Sequence, residues 1–146
     1  IPRVFEHPAY ADHLIKRRKR YEHFSRIGYE KLSGIPGIMV NRTNGAFYMT
    51  VVFEEGMINR KQKLAIANPE VRKLIESLTA EDKKMQPDKR FVYYLLGATG
   101  ICVVPLTSFS SELQGFRVTL LETEKTKFTE TFDTLSESIN QYLASG

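Results

Sequence analysis

The sequence predicts an α/β (α+β) domain, a small mixed β-sheet covered by helices, with a long helix near its start. Three observations carry this expectation. Stretches near the start and at the end place apolar residues at helical spacing. Between them lie short runs rich in aromatic and β-branched residues, bounded by Gly, Pro and Asn. The resulting order is helix, two strands, helices, strand, strand, helix, which suits one sheet under a layer of helices.

Residues 9–33 form the long helix. Leu14, Tyr21, Phe24, Gly28 and Leu32 fall near one face, and Lys and Arg fill much of the rest. Gly34 and Pro36-Gly37 stop it. "IMV" begins a short strand, "NRTNG" is a turn marked by Asn44-Gly45, and "AFYMTVVF" is a second strand. The pair reads as a hairpin. Residues 54–90 are charged and mostly polar, and predict a partly mobile insertion, with poor order around "TAEDKKMQPDK". Within it, Asn68 caps a helix with Pro69 at its first position, and Val71, Leu74, Ile75 and Leu78 make its apolar stripe.

Asp88 is the candidate cap of the next helix, "KRFVYYLLGAT", which ends at Gly100. "ICVVP" follows as a buried strand that Pro105 ends. A polar loop, "LTSFSSELQ", leads to the strand "QGFRVTLLE". Thr123 starts the last helix, where Phe128, Phe132, Leu135, Ile139 and Leu143 form one stripe.

At 146 residues, with 42% hydrophobic and 26% charged residues, the chain has the size and composition of one globular domain, residues 1–146. It contains no apolar run of membrane-spanning length and no signal-peptide pattern. It begins at Ile1, which fits a piece of a longer protein or a processed one. The single cysteine, Cys102, excludes an internal disulfide and reads as a small buried hydrophobe, and the expected location is the cytoplasm or an organelle. The net charge of +4 is local: residues 1–33 hold eight Lys/Arg and four Asp/Glu, and the remainder holds thirteen of each. The excess is "IKRRKR", a solvated helix face or, as an alternative, a basic nucleic-acid-binding module.

Self-contained catalytic motifs are absent. The chain has no G-x-S-x-G, P-loop or G-x-G-x-x-G pattern. His7, His13 and His23 lack metal-ligand spacing, and Glu54-Glu55 and Glu81-Asp82 lie in polar segments that read as solvated charge. The expected catalytic, metal and cofactor-binding residues are therefore none. One residue is out of place. Arg117 sits in the middle of an apolar strand, between Phe116 and Val118. Burying an unpaired guanidinium costs several kcal/mol, so it either reaches water or meets an anion.

The pieces in order resemble a known family. "RRKRYEHFSRIGYEKLSGIPGIMVNRTNGAFYM" resembles the segment of class I aminotransferases in which a long helix rich in Arg and aromatics leads to "IPGI", a polar turn and "GAFY". "YYLLGATGICVVP" resembles their helix–strand step, and "GFRVTLLETEK" resembles the strand that carries the substrate-binding arginine. The correspondence covers most of the chain outside residues 54–90, and the alanine aminotransferase branch is the nearest of the alanine/aspartate aminotransferase-like enzymes. The resemblance implies the C-terminal small domain of a pyridoxal-phosphate-dependent aminotransferase. It implies that Arg117 binds the substrate's α-carboxylate. It also implies that the Schiff-base lysine and the rest of the cofactor site lie in an absent large domain, so that the fragment alone is inactive.

The implied partners are an amino acid (alanine is one candidate), a 2-oxo acid, the large domain of the same chain, and a second copy in a homodimer. Nucleic acid and membrane are not expected. The chain departs from the family pattern at Leu106, where a Gly is usual, and at "TSFSS", where the family has a glycine-bearing loop near substrate. Thr119 shares the face of Arg117 without a role of its own. A non-catalytic interaction domain with this fold is the second reading.

Overall fold

The computed structural model describes residues 2–82 and 84–146. Its elements are α1 (Pro2–Phe5), α2 (Tyr10–Leu32), β1 (Ile38–Val40), β2 (Tyr48–Phe53), α3 (Pro69–Glu81), α4 (Pro87–Thr99), β3 (Val104–Pro105), a 3₁₀ turn η1 (Leu106–Phe109), β4 (Gly115–Thr119) and α5 (Lys125–Ala144). The strands form one sheet in the order β1-β2-β4-β3. Expected to be mixed, the sheet is antiparallel at each pairing. The long connection, through α3 and α4, joins β2 to β3, which run parallel to each other with β4 inserted between them.

Period-2 alternation gives the sheet two faces. On one, Ile38, Met49, Val51, Phe53, Phe116 and Val118 are buried. Helices α2, α4 and α5 cover them, and Phe53, Phe91, Phe116 and Tyr142 form an aromatic cluster at its centre. Burial of each such side chain contributes about 1.5–3 kcal/mol. Helices α2 and α5 meet through the stacked rings of Phe24, Phe128 and Phe132. Gly28 permits the contact, because a Cβ there would lie 2.8 Å from Phe132 Cε1 and 3.1 Å from Met49 Cε. Lys31 and Asp133 pair across the same two helices.

Residues 54–90 contribute to this core. Gln62, Leu64 and Ile66 are buried in alternation, and Ile75 and Met85 follow. The Gln62 side chain accepts from Asn59 N and donates to the carbonyls of Met57 and Leu143. Lys63 N donates to Ser145 Oγ, so the segment is fastened to the end of α5. Lys83, in the stretch expected to be poorly ordered, lies outside the described residues. Arg90 is buried, donating to Gln62 O and Tyr94 Oη. Desolvation pushes the Tyr142 hydroxyl far above the usual tyrosine range, against the pull of Arg90.

Several local expectations change. In α3, Asn68 does cap, accepting from Glu70 N and Val71 N, but Ile75 and Thr79 are the buried positions while Leu74 and Leu78 are exposed. Helix α4 begins at Pro87 after Gln86, so Asp88 lies in its first turn rather than at its cap. "ICVVP" yields only a two-residue edge strand, and Cys102 is exposed rather than buried, because its side chain points away from Val103 and the core. Helix α5 begins at Lys125. Tyr142 is fully buried, while Leu143 is only partly so.

Candidate functional site

Arg117 lies on the face of the sheet opposite the one that packs against α2, α4 and α5. It stands in register with Thr50 of β2 and Val104 of β3. The same face carries Met39, Tyr48, Val52, Val104 and Thr119, and Met39 is 55% and Val104 44% exposed. Alternation thus places Arg117 one residue from the core but outside it.

Two rings flank the guanidinium. Tyr48, from β2, and Phe109, from the turn after β3, each lie 4.3 Å from Arg117 Cζ at the ring centroid. Each such contact stabilises a cation by about 0.5–2 kcal/mol. Neither takes a conventional hydrogen bond from it. Arg117 Nε is buried and donates to nothing, and among the described residues no carboxylate pairs with the group. A half-buried guanidinium held by rings, with free N–H donors, is a ready receptor for a planar carboxylate. Thr119 is exposed beside it, opposite Tyr48 in register.

A second polar group lies beneath this site. Asp88 is fully buried. Its Oδ1 accepts from Lys89 N and Thr107 Oγ1, both at 2.7 Å, and its Oδ2 accepts from Thr107 N at 3.0 Å and Gly115 N at 3.4 Å. Gln114 Oε1 accepts from Asp88 N, which ties the start of α4 to the start of β4. At Gly115 a Cβ would lie 2.2 Å from Val51 O, so the two strands can approach only around a glycine.

The remaining candidates do not converge on Arg117. The basic run lies on the exposed part of α2, where Arg17 and Arg20 both sit over the Tyr21 ring, and Arg17 Nε donates to Tyr21 Oη. These arginines lower the pKa of the Tyr21 hydroxyl, first through that hydrogen bond. His7 accepts from Ala9 N, His23 contacts Arg26, and among the described residues no three His, Cys, Asp or Glu side chains gather as metal ligands. Glu54 and Glu55 are exposed. Among the described residues, no helix is long and apolar enough to cross a membrane. The placement of Tyr48 and Phe109 beside the arginine had no signal in sequence, because the rings come from other segments.

Comparison with known proteins gives this arrangement its context. No family model matches the chain. The chain is 48% identical over 143 residues to a Methanocaldococcus jannaschii protein named an uncharacterized aminotransferase, an alignment covering 98% of this chain and 32% of that protein. It therefore spans about a third of the length of the curated relative it matches. In structure it resembles part of an aminotransferase from Escherichia coli, with a TM-score of 0.56 and 17% identity, over 84% of this chain and 24% of the other. In sequence the chain is thus similar to about a third of a protein named an aminotransferase, and in fold to part of another.

Proposed function

We propose that the chain is the C-terminal small domain of a class I, pyridoxal-phosphate-dependent aminotransferase, and that Arg117 binds the α-carboxylate of its substrate. The observation that carries this reading is the unpaired guanidinium between Tyr48 and Phe109, on the sheet face opposite α2, α4 and α5. The aminotransferase relationship supports the reaction class.

The chemistry suits the residue. A guanidinium offers paired N–H donors that match a carboxylate oxygen for oxygen, fixing orientation as well as distance. Transamination requires that, because the bond broken at Cα must be held in a reactive orientation. Pyridoxal phosphate, when bound, supplies the electron sink. None of the four strands contains a lysine. On this reading the anchoring residues belong to the large domain, and this chain holds the substrate.

On the same reading the whole protein is a cytoplasmic homodimer that moves an amino group between an amino acid, alanine being the first candidate, and a 2-oxo acid. The chain alone is inactive. The test is steady-state kinetics of the whole protein carrying Arg117→Lys. The expected result is a raised KM and a fall in kcat/KM of about 2–4 kcal/mol, or about 30- to 1,000-fold. Unchanged kinetics remove Arg117 from the site. Mixed with pyridoxal phosphate and dialysed, the isolated chain should retain no absorbance above about 400 nm, since the cofactor's lysine lies elsewhere.

A further inference from the structure

We propose that Asp88 is a positioning residue for the Arg117 cation: its two oxygens fix the two backbone segments from which Phe109 and Arg117 project. The proposal rests on the reading of Arg117 as a carboxylate receptor. It extends that reading to a residue that touches no substrate.

The arrangement is specific. Asp88 receives the N–H and the hydroxyl of Thr107, in η1, and the N–H of Gly115, at the start of β4. Phe109 is two residues beyond Thr107 and Arg117 is two residues beyond Gly115. One carboxylate therefore ties down both the ring and the cation that meet at 4.3 Å. The η1 segment has little else to hold it in place, whereas β4 is also held by its ladder to β2 from Tyr48 to Val52. Strand β3 is only two residues long, and η1 is a single 3₁₀ turn. The strong anchor is Asp88 itself, fixed in the first turn of α4 and fully buried.

The chemistry calls for a carboxylate. Each oxygen accepts from two donors. An asparagine would keep one oxygen and turn N–H donors against two of those groups, leaving buried donors unpaired. The η1 turn would then be free to shift, and with it the distance between the Phe109 ring and the guanidinium. Displacement of a binding group by about 1 Å can cost on the order of a hundredfold in reactivity.

The experiment uses the whole protein with Asp88→Asn, Thr107→Val and Arg117→Lys. Binding of a simple carboxylate competitor is titrated, KM and kcat are measured, and arginine Nε–H resonances are recorded after ¹⁵N-arginine labelling. The Arg117 signal is the one that Arg117→Lys removes. Asp88→Asn should weaken the carboxylate and raise KM by about tenfold, with kcat changed by less than about threefold. It should also move the Arg117 Nε–H signal away from its ring-shifted position, while the affinity for pyridoxal phosphate stays the same. Thr107→Val removes only the hydroxyl bond, so it should change KM by about threefold in the same direction, and it serves if Asp88→Asn does not fold.

A lowered melting temperature with unchanged carboxylate affinity and an unmoved Nε–H signal overturns the proposal and makes Asp88 purely structural. If Arg117→Lys leaves carboxylate affinity unchanged, the receptor reading fails instead. The Nε–H signal in Asp88→Asn then still decides whether Asp88 positions the cation.

Discussion

The two faces of one strand in this domain do opposite jobs. On β4, Phe116 and Val118 are buried, and Phe116 is packed between the rings of Phe53 and Phe91. Arg117, between them in sequence, faces outward to Tyr48, Phe109 and open space. The covered face is built for volume and the open face for chemistry. A strand can serve both because adjacent side chains point to opposite sides. The helices stabilise the covered face so thoroughly that the other need contribute little to folding. It can then carry exposed apolar side chains and an unpaired cation.

Substitutions should separate the faces in a graded way. The largest effect belongs to Phe116→Ala, which empties the centre of the aromatic cluster and should lower unfolding free energy by about 3–5 kcal/mol in denaturant titrations. A loss below about 1 kcal/mol would mean that the covered face is not the source of stability. Next comes Gly28→Val, which forces side-chain atoms against Phe132 and Met49 and should cost about 1–3 kcal/mol by the same measurement. Stability equal to that of the parent would show that α2 and α5 can separate without penalty. Asn68→Ala removes the two cap bonds of α3 and should cost about 1 kcal/mol, visible as a lower melting temperature. The smallest effect should come from Met39→Ser on the open face, within about 0.5 kcal/mol in the isolated chain. We expect a larger loss for that variant in the whole protein, where a second lobe would bury the face; equal small losses in both contexts would argue that nothing docks there.

What the sequence revealed follows the same division. The stripe Phe128, Phe132, Leu135 and Ile139 and the alternation through Phe116, Val118 and Leu120 are periodic, and both are buried as their spacing indicates. Asn68 and Gly100 announce helix ends through local chemistry, and both act there. Leu74 and Leu78 also have helical spacing, yet they are exposed, because α3 turns Ile75 and Thr79 inward instead. Periodicity gives a face but not what packs on it. Cys102 erred for a related reason: a short apolar run at a sheet edge has one side with nothing above it.

The site was legible only at its centre. Arg117 stood out because a cation in an apolar strand needs a reason. Tyr48 lies 69 positions earlier and Phe109 lies in a turn whose residues look merely polar, so neither announced a contact with it. Asp88 looked like a helix cap, since Asp before a helical run has that local meaning. Besides the Thr107 hydroxyl, its distant partners are backbone N–H groups at 107 and 115, and a backbone N–H has no residue identity to read.

The brevity of β3 bears on how the molecule behaves in a crowd. Its second residue, Pro105, has no N–H to offer, so that border of the sheet is a poor template for an incoming strand. Any association of copies through shared ladders would have to start at the opposite border, along the three residues of β1. Fibre growth needs two receptive borders, and this sheet presents one.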